Sequence, residues 1–359
     1  MDSSPTKYVY CNDLPSVAYA TRILALSPVL IIDCEGRNIG GLDGALSLMC
    51  IGTEKAEYIF MFDVLALKPF KFRLMPLFCV LANSAVKKVM WDCRNDFLEI
   101  LSEYDVMLTS ILDLQLAEIQ ARTAVNKEKD FQRIQRFSWG SRAVPLRTIK
   151  QNQELFLGVH RLQGMDACIR KANLPTTGKD PQVVAMHKAV GSAIWLDRPL
   201  PPNLLAYAAH DIEMIAMLYE HFKTNSWITS ANELLLVAQS MRYAYSLFYQ
   251  GRVADNDVFG PCAVLPLDVL SESRGPHFQC HGCHRMQSLS CYSVRKQGKK
   301  PQARSNICRT CQIKALLKET KYPIIWVAVS VPEISLSCSF PLTRVLDSRC
   351  DRLCSVGLL

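Results

Sequence analysis

Three apolar runs near the N-terminus are joined by connections too short for a crossover. They cover residues 29–34, 46–52 and 57–63, and the first, VLIIDC, is a continuous run typical of a buried strand. A Gly-rich turn at 36–44 and a turn at 53–56 join them, so these strands can pair only antiparallel. The chain therefore predicts a sheet that begins with three antiparallel strands.

Helices and strands alternate after the third run. Helices are predicted at 72–83 and from residue 94, and strands at 87–90 and 110–112. Such alternation requires right-handed crossovers and therefore parallel strands. We expect an α/β fold in which helices flank a mixed five-stranded sheet.

Composition divides the rest of the 359-residue chain. The pattern beyond residue 114 is mainly helical, apart from a basic loop at 123–147, and glycines and prolines then indicate a linker. Eleven basic residues against one acidic residue lie between positions 274 and 321. We predict a sheet-bearing domain at 1–225, a helical extension at 226–251, a linker at 252–276, a basic module at 277–321 and a tail of unknown structure at 322–359.

Composition also excludes several classes of protein. With 49% hydrophobic and 21% charged residues, the chain is globular and not disordered. No apolar run reaches the roughly 18 residues that cross a bilayer, and the N-terminus lacks the basic and apolar segments of a signal peptide. We therefore expect an intracellular protein in a reducing compartment, with nucleus and cytoplasm both left open.

Four acidic residues and one tyrosine lie at positions that favour a common site. Asp33 and Glu35 are two apart at the end of a strand, so they face the same side. Asp96 follows a parallel strand, at the edge where α/β sheets place their sites. Tyr207 and Asp211 are four apart in a strongly helical segment and share one helix face. Acidic pairs are common at strand ends, so the prediction depends on the convergence of all four carboxylates.

Four carboxylates at one point repel each other unless a cation neutralises them. Oxygen ligands suit Mg²⁺ or Mn²⁺, and two such ions a few ångströms apart contact both the attacking and the leaving oxygen of a phosphodiester. The residues alone therefore favour metal-dependent hydrolysis of phosphodiester bonds.

Four short motifs stand in a definite order along the chain. They are Asp33-Cys34-Glu35-Gly36, Leu46-Ser47-Leu48, residues 91–96 (WDCRND) and Tyr207-x-x-x-Asp211. This order resembles that of the DEDDy 3′–5′ exonucleases, in the ribonuclease D/Werner branch of the ribonuclease-H-like superfold. The resemblance covers about residues 8–222 and includes further landmarks, such as the DRPLP segment at 197–201.

The resemblance implies a ribonuclease-H-like fold and a role for each site residue. Asp33, Glu35 and Asp211 would hold one Mg²⁺ or Mn²⁺ ion, and Asp33 and Asp96 would hold a second. Tyr207 would position or deprotonate the attacking water. The implied activity removes nucleoside 5′-monophosphates from the 3′ end of single-stranded RNA or DNA. The alternative is a catalytically silent member that binds nucleic acid as an adaptor, but the presence of all five residues favours the enzyme.

Four neighbouring residues are interpreted differently. Trp91 stands where many relatives have His, at a position that is not a metal ligand in the family. Asp92 is the competing acid of the same motif, and Asp113 is interpreted as a helix cap. His210 points about 100° away from Asp211 around the helix and is interpreted as a packing or surface residue.

Four cysteines near the C-terminus form two close pairs. Cys280-x-x-Cys283 and Cys308-x-x-Cys311 are separated by 24 residues, which in a reducing compartment predicts a Cys₄ site for one Zn²⁺ ion. The ion would supply folding energy that so small a module lacks. Alternative ligands are His281, His284 and Cys291.

Basic residues fill the segment between the two pairs. With Tyr292, they have the composition that contacts phosphates and stacks on the bases of a single strand. The predicted nucleic-acid contacts are Arg295, Lys296, Lys299, Lys300 and Arg304. A second contact is predicted in the basic loop, from Arg133, Arg136, Trp139, Arg142 and Arg147. The alternative for the module is a protein partner, since zinc ribbons often bind proteins.

Overall fold

A computed structural model describes residues 8–139, 143–176, 178, 180–247, 252, 264–265, 267–273, 275–298, 300–317 and 323–329. The main sheet has six strands: β1 (Val9–Cys11), β2 (Val29–Arg37), β3 (Ala45–Thr53), β4 (Ile59–Asp63), β5 (Lys87–Met90) and β6 (Ile111–Asp113). Their order across the sheet is β1-β4-β3-β2-β5-β6. β2, β3 and β4 pair antiparallel, and β5 and β6 continue from β2 in parallel.

The mixed sheet is confirmed, but it has one strand more than predicted. β1 pairs in parallel with the edge strand β4. It has only three residues, too few to stand out as an apolar run.

Thirteen helices lie within the described residues. They are α1 (Leu14–Leu24), α2 (Val64–Leu67), α3 (Met75–Ala82), α4 (Arg94–Tyr104), α5 (Leu114–Ala124), α6 (Asp130–Gln135), α7 (Leu146–Gln151), α8 (Met165–Ala172), α9 (Pro181–Val190), α10 (Pro202–Thr224), α11 (Glu233–Ala244), α12 (Leu267–Leu270) and α13 (Arg309–Leu317). The helix predicted at 72–83 begins as a 3₁₀ segment, Lys68–Leu74, and α6 and α7 interrupt the predicted basic loop. None of these helices is both long and apolar enough to cross a membrane.

Alternate residues of β2 enter two different hydrophobic cores. Leu30 and Ile32 join the core built with α1, α3 and α4. Ile31 joins the opposite core, to which α10 contributes. Because the side-chain period of a strand is two, Asp33 and Glu35 continue the face of Ile31. β2 therefore directs both carboxylates towards the side of the sheet that α10 covers.

A glycine brings α10 close to the sheet. A Cβ atom on Gly52 of β3 would lie 2.6 Å from Cγ2 of Ile212, which is closer than such atoms approach. The absence of a side chain at Gly52 therefore lets α10 lie directly against the strand. The face of α10 that is buried in this way carries Tyr207 and Asp211.

The segment interpreted as a linker, 252–276, is partly folded. β7 (His160–Arg161) pairs with β8 (Val264–Leu265), and α12 packs against α11. The remaining strands are β9 (His277–Gln279), β10 (Met286–Ser288), β11 (Tyr292–Gln297), β12 (Lys300–Cys308) and β13 (Trp326–Ala328). They form a β9–β10 hairpin and a three-stranded antiparallel sheet, β11-β12-β13. The predicted tail lies outside the described residues from position 330 onwards.

Candidate active site

Three carboxylates come together at one edge of the sheet. One oxygen from each of Asp33, Glu35 and Asp211 lies within 4.8 Å of the other two. Asp33 and Glu35 are half-buried at the end of β2, and Asp211 is buried on α10. Carboxylate oxygens at this spacing fit one Mg²⁺ or Mn²⁺ ion.

The end of β2 that carries Glu35 depends on the glycine that follows it. The pairing of β2 with β3 shifts register between Glu35 and Gly36. A Cβ atom on Gly36 would lie 2.1 Å from the carbonyl oxygen of Ala45, so no other residue fits without moving β3. Gly36 thus keeps β3 close behind the carboxylate.

Asp96 lies at the start of α4. It is outside the three-carboxylate cluster, but it interacts electrostatically with that cluster. Burial, and then the negative charge of Asp33, hold the pKa of Asp96 well above its usual value. A cation beside Asp33 and Asp96 would remove this conflict, because it favours the ionised form of both. Asp96 is therefore a fourth carboxylate whose charge interacts with that of Asp33, outside the group of three whose oxygens lie within 4.8 Å of one another.

Tyr207 lies one helical turn before Asp211, on the same buried face of α10. Its ring centroid is 6.0 Å from that of His187 and 6.4 Å from that of Trp195. These contacts hold the phenol ring on the side of the helix that bears Asp211.

Solved structures share this arrangement of strands and helices. Trypanosoma brucei RNase D aligns with 79% of this chain and 87% of its own, at a TM-score of 0.55 and 20% sequence identity. The chain has the ribonuclease D fold. The complex of that protein with RNA U12 aligns over 79% and 85% of the two chains (TM-score 0.53, 19% identity), and its GMP complex over 82% of each (0.53, 18%). No protein-family model and no curated protein matches the sequence.

Within this ribonuclease D fold, the competing acid Asp92 is engaged by a buried tyrosine. Tyr243 of α11 donates from its hydroxyl to Oδ1 of Asp92 at 2.7 Å. Asp113 accepts hydrogen bonds from the backbone N–H groups of Cys93 at 2.9 Å and Gln115 at 2.8 Å. Asp113 thus caps α5, as predicted, and also fixes the turn that leads to Asp96.

The helical extension takes part in this support, which the sequence analysis missed. The hydroxyl of Ser240 accepts a hydrogen bond from the backbone N–H of Asp113 at 2.8 Å, and Tyr243 is fully buried. The only sequence signal was an aromatic at helical spacing, which equally describes an ordinary core residue. Trp91 lies in the hydrophobic core, and His210 bridges Thr176 and Glu213 at 3.0 Å each.

The four module cysteines meet in space. The Sγ atoms of Cys280 and Cys311 are 3.8 Å apart, and those of Cys283 and Cys308 are 3.9 Å apart. Zn–S bonds of about 2.3 Å in a tetrahedron place the sulfurs about 3.8 Å apart, so the four atoms fit one Zn²⁺ ion.

The basic residues of the module do not all lie on its surface. Arg304 is 7% exposed, and its guanidinium lies over the ring of Tyr292 at 4.7 Å. Tyr292 itself is fully buried. The contacts predicted for Arg304 and Tyr292 are therefore wrong, because both side chains form the core of the module. Lys299 lies outside the described residues.

Three of the predicted contacts are exposed on the β11–β12 hairpin: Arg295, Lys296 and Lys300. The guanidinium of Arg295 on β11 lies 4.1 Å from the ring centroid of Trp326 on β13, the far strand of the same three-stranded sheet. An aromatic ring therefore accompanies the exposed cations, although it is Trp326 and not Tyr292.

The second predicted contact, in the basic loop, is only partly on the surface. Arg133 is 6% exposed and donates to the carbonyl of Phe156 at 2.8 Å, so a contact with nucleic acid is wrong for it. Arg136 pairs with Glu128. Arg142 lies outside the described residues, and the exposed members of the set are Trp139 and Arg147.

Proposed function

We propose that this chain is a metal-dependent 3′–5′ exonuclease that acts on single-stranded RNA. The observation that carries the proposal is the meeting of Asp33, Glu35 and Asp211 within 4.8 Å. Asp96 is close enough for the charge of Asp33 to raise its pKa. The ribonuclease D fold supports it, and the solved complexes of Trypanosoma brucei RNase D with RNA U12 and GMP favour RNA as the substrate.

Each residue has a task in this proposal. Asp33, Glu35 and Asp211 would hold one Mg²⁺ or Mn²⁺ ion, and Asp33 and Asp96 a second. Bound ions of this kind make a nearby water more acidic and neutralise the charge that develops on the phosphate. The Tyr207 hydroxyl orients the water for attack in line with the leaving 3′ oxygen. The water gives up a proton to solvent as its oxygen bonds to phosphorus, the bond from phosphorus to the 3′ oxygen breaks, and that oxygen takes a proton from solvent.

Digestion of 5′-labelled single-stranded RNA and DNA of one sequence tests the proposal. We expect a ladder that shortens from the 3′ end, requires Mg²⁺ or Mn²⁺, and releases nucleoside 5′-monophosphates, with RNA the faster substrate. EDTA should abolish it. Tight binding of RNA without any products would contradict the proposal and identify the chain as a silent adaptor.

Replacing Tyr207 with Phe is expected to lower kcat by about 100-fold. This is the lower end of the range for loss of a side chain that assists proton transfer. KM and the metal concentration for half-maximal activity should change little, because the hydroxyl is not an ion ligand. The matched control is Tyr219→Phe on the same helix, whose hydroxyl accepts from Lys87 at 3.4 Å. Equal losses in both variants, in steady-state kinetics on RNA, would assign the effect to loosening of α10.

The cysteine module has a separate role in the proposal. Its four cysteines would hold one structural Zn²⁺ ion, which their sulfur spacing fits. The exposed cations of the β11–β12 hairpin, with Trp326, would bind the body of the RNA while its 3′ end occupies the carboxylate site. Positive charge beside an aromatic ring suits a single strand of any sequence.

The double variant Lys296→Ala/Lys300→Ala tests this surface. We expect its affinity for a 20-nucleotide RNA to fall about 10-fold at low salt, and the log–log salt slope to decrease by about 1.4, for two lost phosphate contacts on a single strand. Turnover of a dinucleotide should not change, because its single phosphodiester occupies the carboxylate site and leaves no further phosphate for the hairpin. The control is Lys55→Ala/Lys171→Ala, two lysines exposed elsewhere. An unchanged salt slope would contradict the contact.

A further inference from the structure

A partly buried ion pair joins the segment before α10 to the main sheet. Nε and Nη2 of Arg198 donate to the two carboxylate oxygens of Asp63, each at 2.8 Å. Asp63 is the last residue of β4, and its side chain is 3% exposed. A guanidinium that meets a carboxylate with two parallel hydrogen bonds fixes its orientation as well as its distance. The pair therefore sets the position of Arg198 relative to the sheet.

Asp63 is itself held rigidly. One of its oxygens accepts from the backbone N–H groups of Leu65 and Ala66, at 3.0 Å each, and the Tyr10 hydroxyl donates to the other. Burial raises the pKa of Asp63, but the hydrogen bonds from Arg198 and Tyr10 outweigh it and lower the pKa below its usual value. Asp63 is therefore an ionised and immobile anchor.

The other donors of Arg198 reach the segment that carries Trp195. Nη1 of Arg198 donates to the carbonyl oxygen of Trp195 at 2.9 Å, and Nη2 donates to the hydroxyl of Ser47 at 2.9 Å. The Ser47 hydroxyl in turn donates to the same Trp195 carbonyl. Ser47 and Trp195 are both fully buried. The backbone of Trp195 is thus fixed to β3 and, through Arg198, to β4.

The ring of Trp195 connects this fixed backbone to Tyr207 in the candidate active site. Its ring lies 6.4 Å from that of Tyr207, and His187 closes a three-ring cluster at 5.8 Å from Trp195. The Arg198–Asp63 ion pair also lies at the same height along the strands as the carboxylates. Leu48 of β3 pairs with Asp63 on one side and with Glu35 on the other. Neighbouring strands are about 4.8 Å apart, which places the Asp63 and Glu35 backbones about 10 Å apart.

We propose that Arg198 is a positioning residue for the reaction: with Asp63 it fixes Trp195, and Trp195 holds the Tyr207 ring in its working orientation. This inference rests on the proposed exonuclease function, in which Tyr207 orients the water. Arg198 itself contacts neither the carboxylate cluster nor, in the proposal, the substrate.

A double-mutant cycle of Arg198→Lys and Tyr207→Phe tests the coupling. Lys keeps the charge but loses the paired hydrogen bonds. Alone, Arg198→Lys should lower kcat about 10-fold with little change in KM. In the Tyr207→Phe background it should lower kcat less than about 2-fold, because the group that it positions is gone. The same loss in both backgrounds would overturn the inference.

A second measurement does not depend on activity. The protein is labelled with 3-fluorotyrosine, and the ¹⁹F resonance of Tyr207 is assigned by its loss in Tyr207→Phe. We expect Arg198→Lys to shift or broaden this resonance, and the exposed control Arg170→Lys to leave it unchanged. An unaltered resonance would overturn the inference even if the exonuclease ladder is present, and an altered one would support it even if the ladder is absent. Should Arg198→Lys not fold, Ser47→Ala removes one hydrogen bond to the Trp195 carbonyl and serves as the variant in both experiments.

Discussion

Replacing Asp33 with Asn is expected to lower exonuclease activity by about 10³-fold or more. Asp33 belongs to the three-carboxylate cluster, and its charge also raises the pKa of Asp96, so it is the residue that joins both proposed ion positions. Loss of the Asp33 charge would therefore weaken the binding of both ions at once. Charge stabilisation by a bound metal is worth several kcal/mol, and about 4 kcal/mol corresponds to a factor of about 10³.

Three measurements make this result specific. Activity on labelled RNA should be lost, binding of RNA should be retained, and the melting temperature should stay the same or rise, because repulsion among the carboxylates is relieved. The control is Asp105→Asn, the same chemical change at an exposed, left-handed helix end that Asn tolerates well. Activity of Asp33→Asn within 10-fold of the original protein would exclude a central role for this carboxylate.

Most of the sheet could be predicted from the sequence because short-range features of the chain determine whether its strands pair antiparallel or parallel. The short turns at 36–44 and 53–56 allow only antiparallel pairing, and the helix–strand alternation that follows allows only parallel pairing. β1 could not be predicted in this way. Its three residues form a strand only because β4 offers an open edge, which is a tertiary fact.

The site was predictable where spacing alone decides direction. Asp33 and Glu35 share a face by the period of a strand, and Tyr207 and Asp211 by that of a helix, and the structure places them so. The burial of a side chain cannot be predicted from spacing in this way, because it depends on which other parts of the chain pack against it. Arg304 has the sequence context of a surface cation, yet it stacks on Tyr292 inside the module, and the ring beside the exposed cation Arg295 is that of half-buried Trp326.

Supporting residues were the hardest to predict. Arg198, Tyr243 and Ser240 act across sequence separations of more than 120 residues, through partners that no local pattern connects. Arg198 lies in the DRPLP segment, which resembles a family landmark, but that resemblance does not say that Arg198 pairs with Asp63. Their pairing follows only from the way the segment before α10 folds back against β4.

Replacing Cys308 with Ser is expected to remove zinc from the module and to unfold it. Cys308 is fully buried, its sulfur lies 3.9 Å from that of Cys283, and its backbone N–H donates to the sulfur of Cys280 at 3.2 Å. Changing a residue that only orients a metal ligand weakens binding by about 10- to 100-fold, so loss of a ligand itself should exceed that range. Because the core around the cysteines is small, most of its folding energy would come from the ion.

Metal analysis and hydrogen exchange check this expectation together. The original protein should contain one zinc per chain and Cys308→Ser almost none, and backbone amides of β11 and β12 should exchange much faster in the variant. The control is Cys79→Ser, an exposed cysteine on α3, which should keep both its zinc and its protection. Because Cys283 packs against Leu98 of α4, amides of that helix should also lose some protection, whereas those of β2 should not. One zinc per chain in Cys308→Ser, or a zinc-free original protein with a protected module, would contradict a structural metal site.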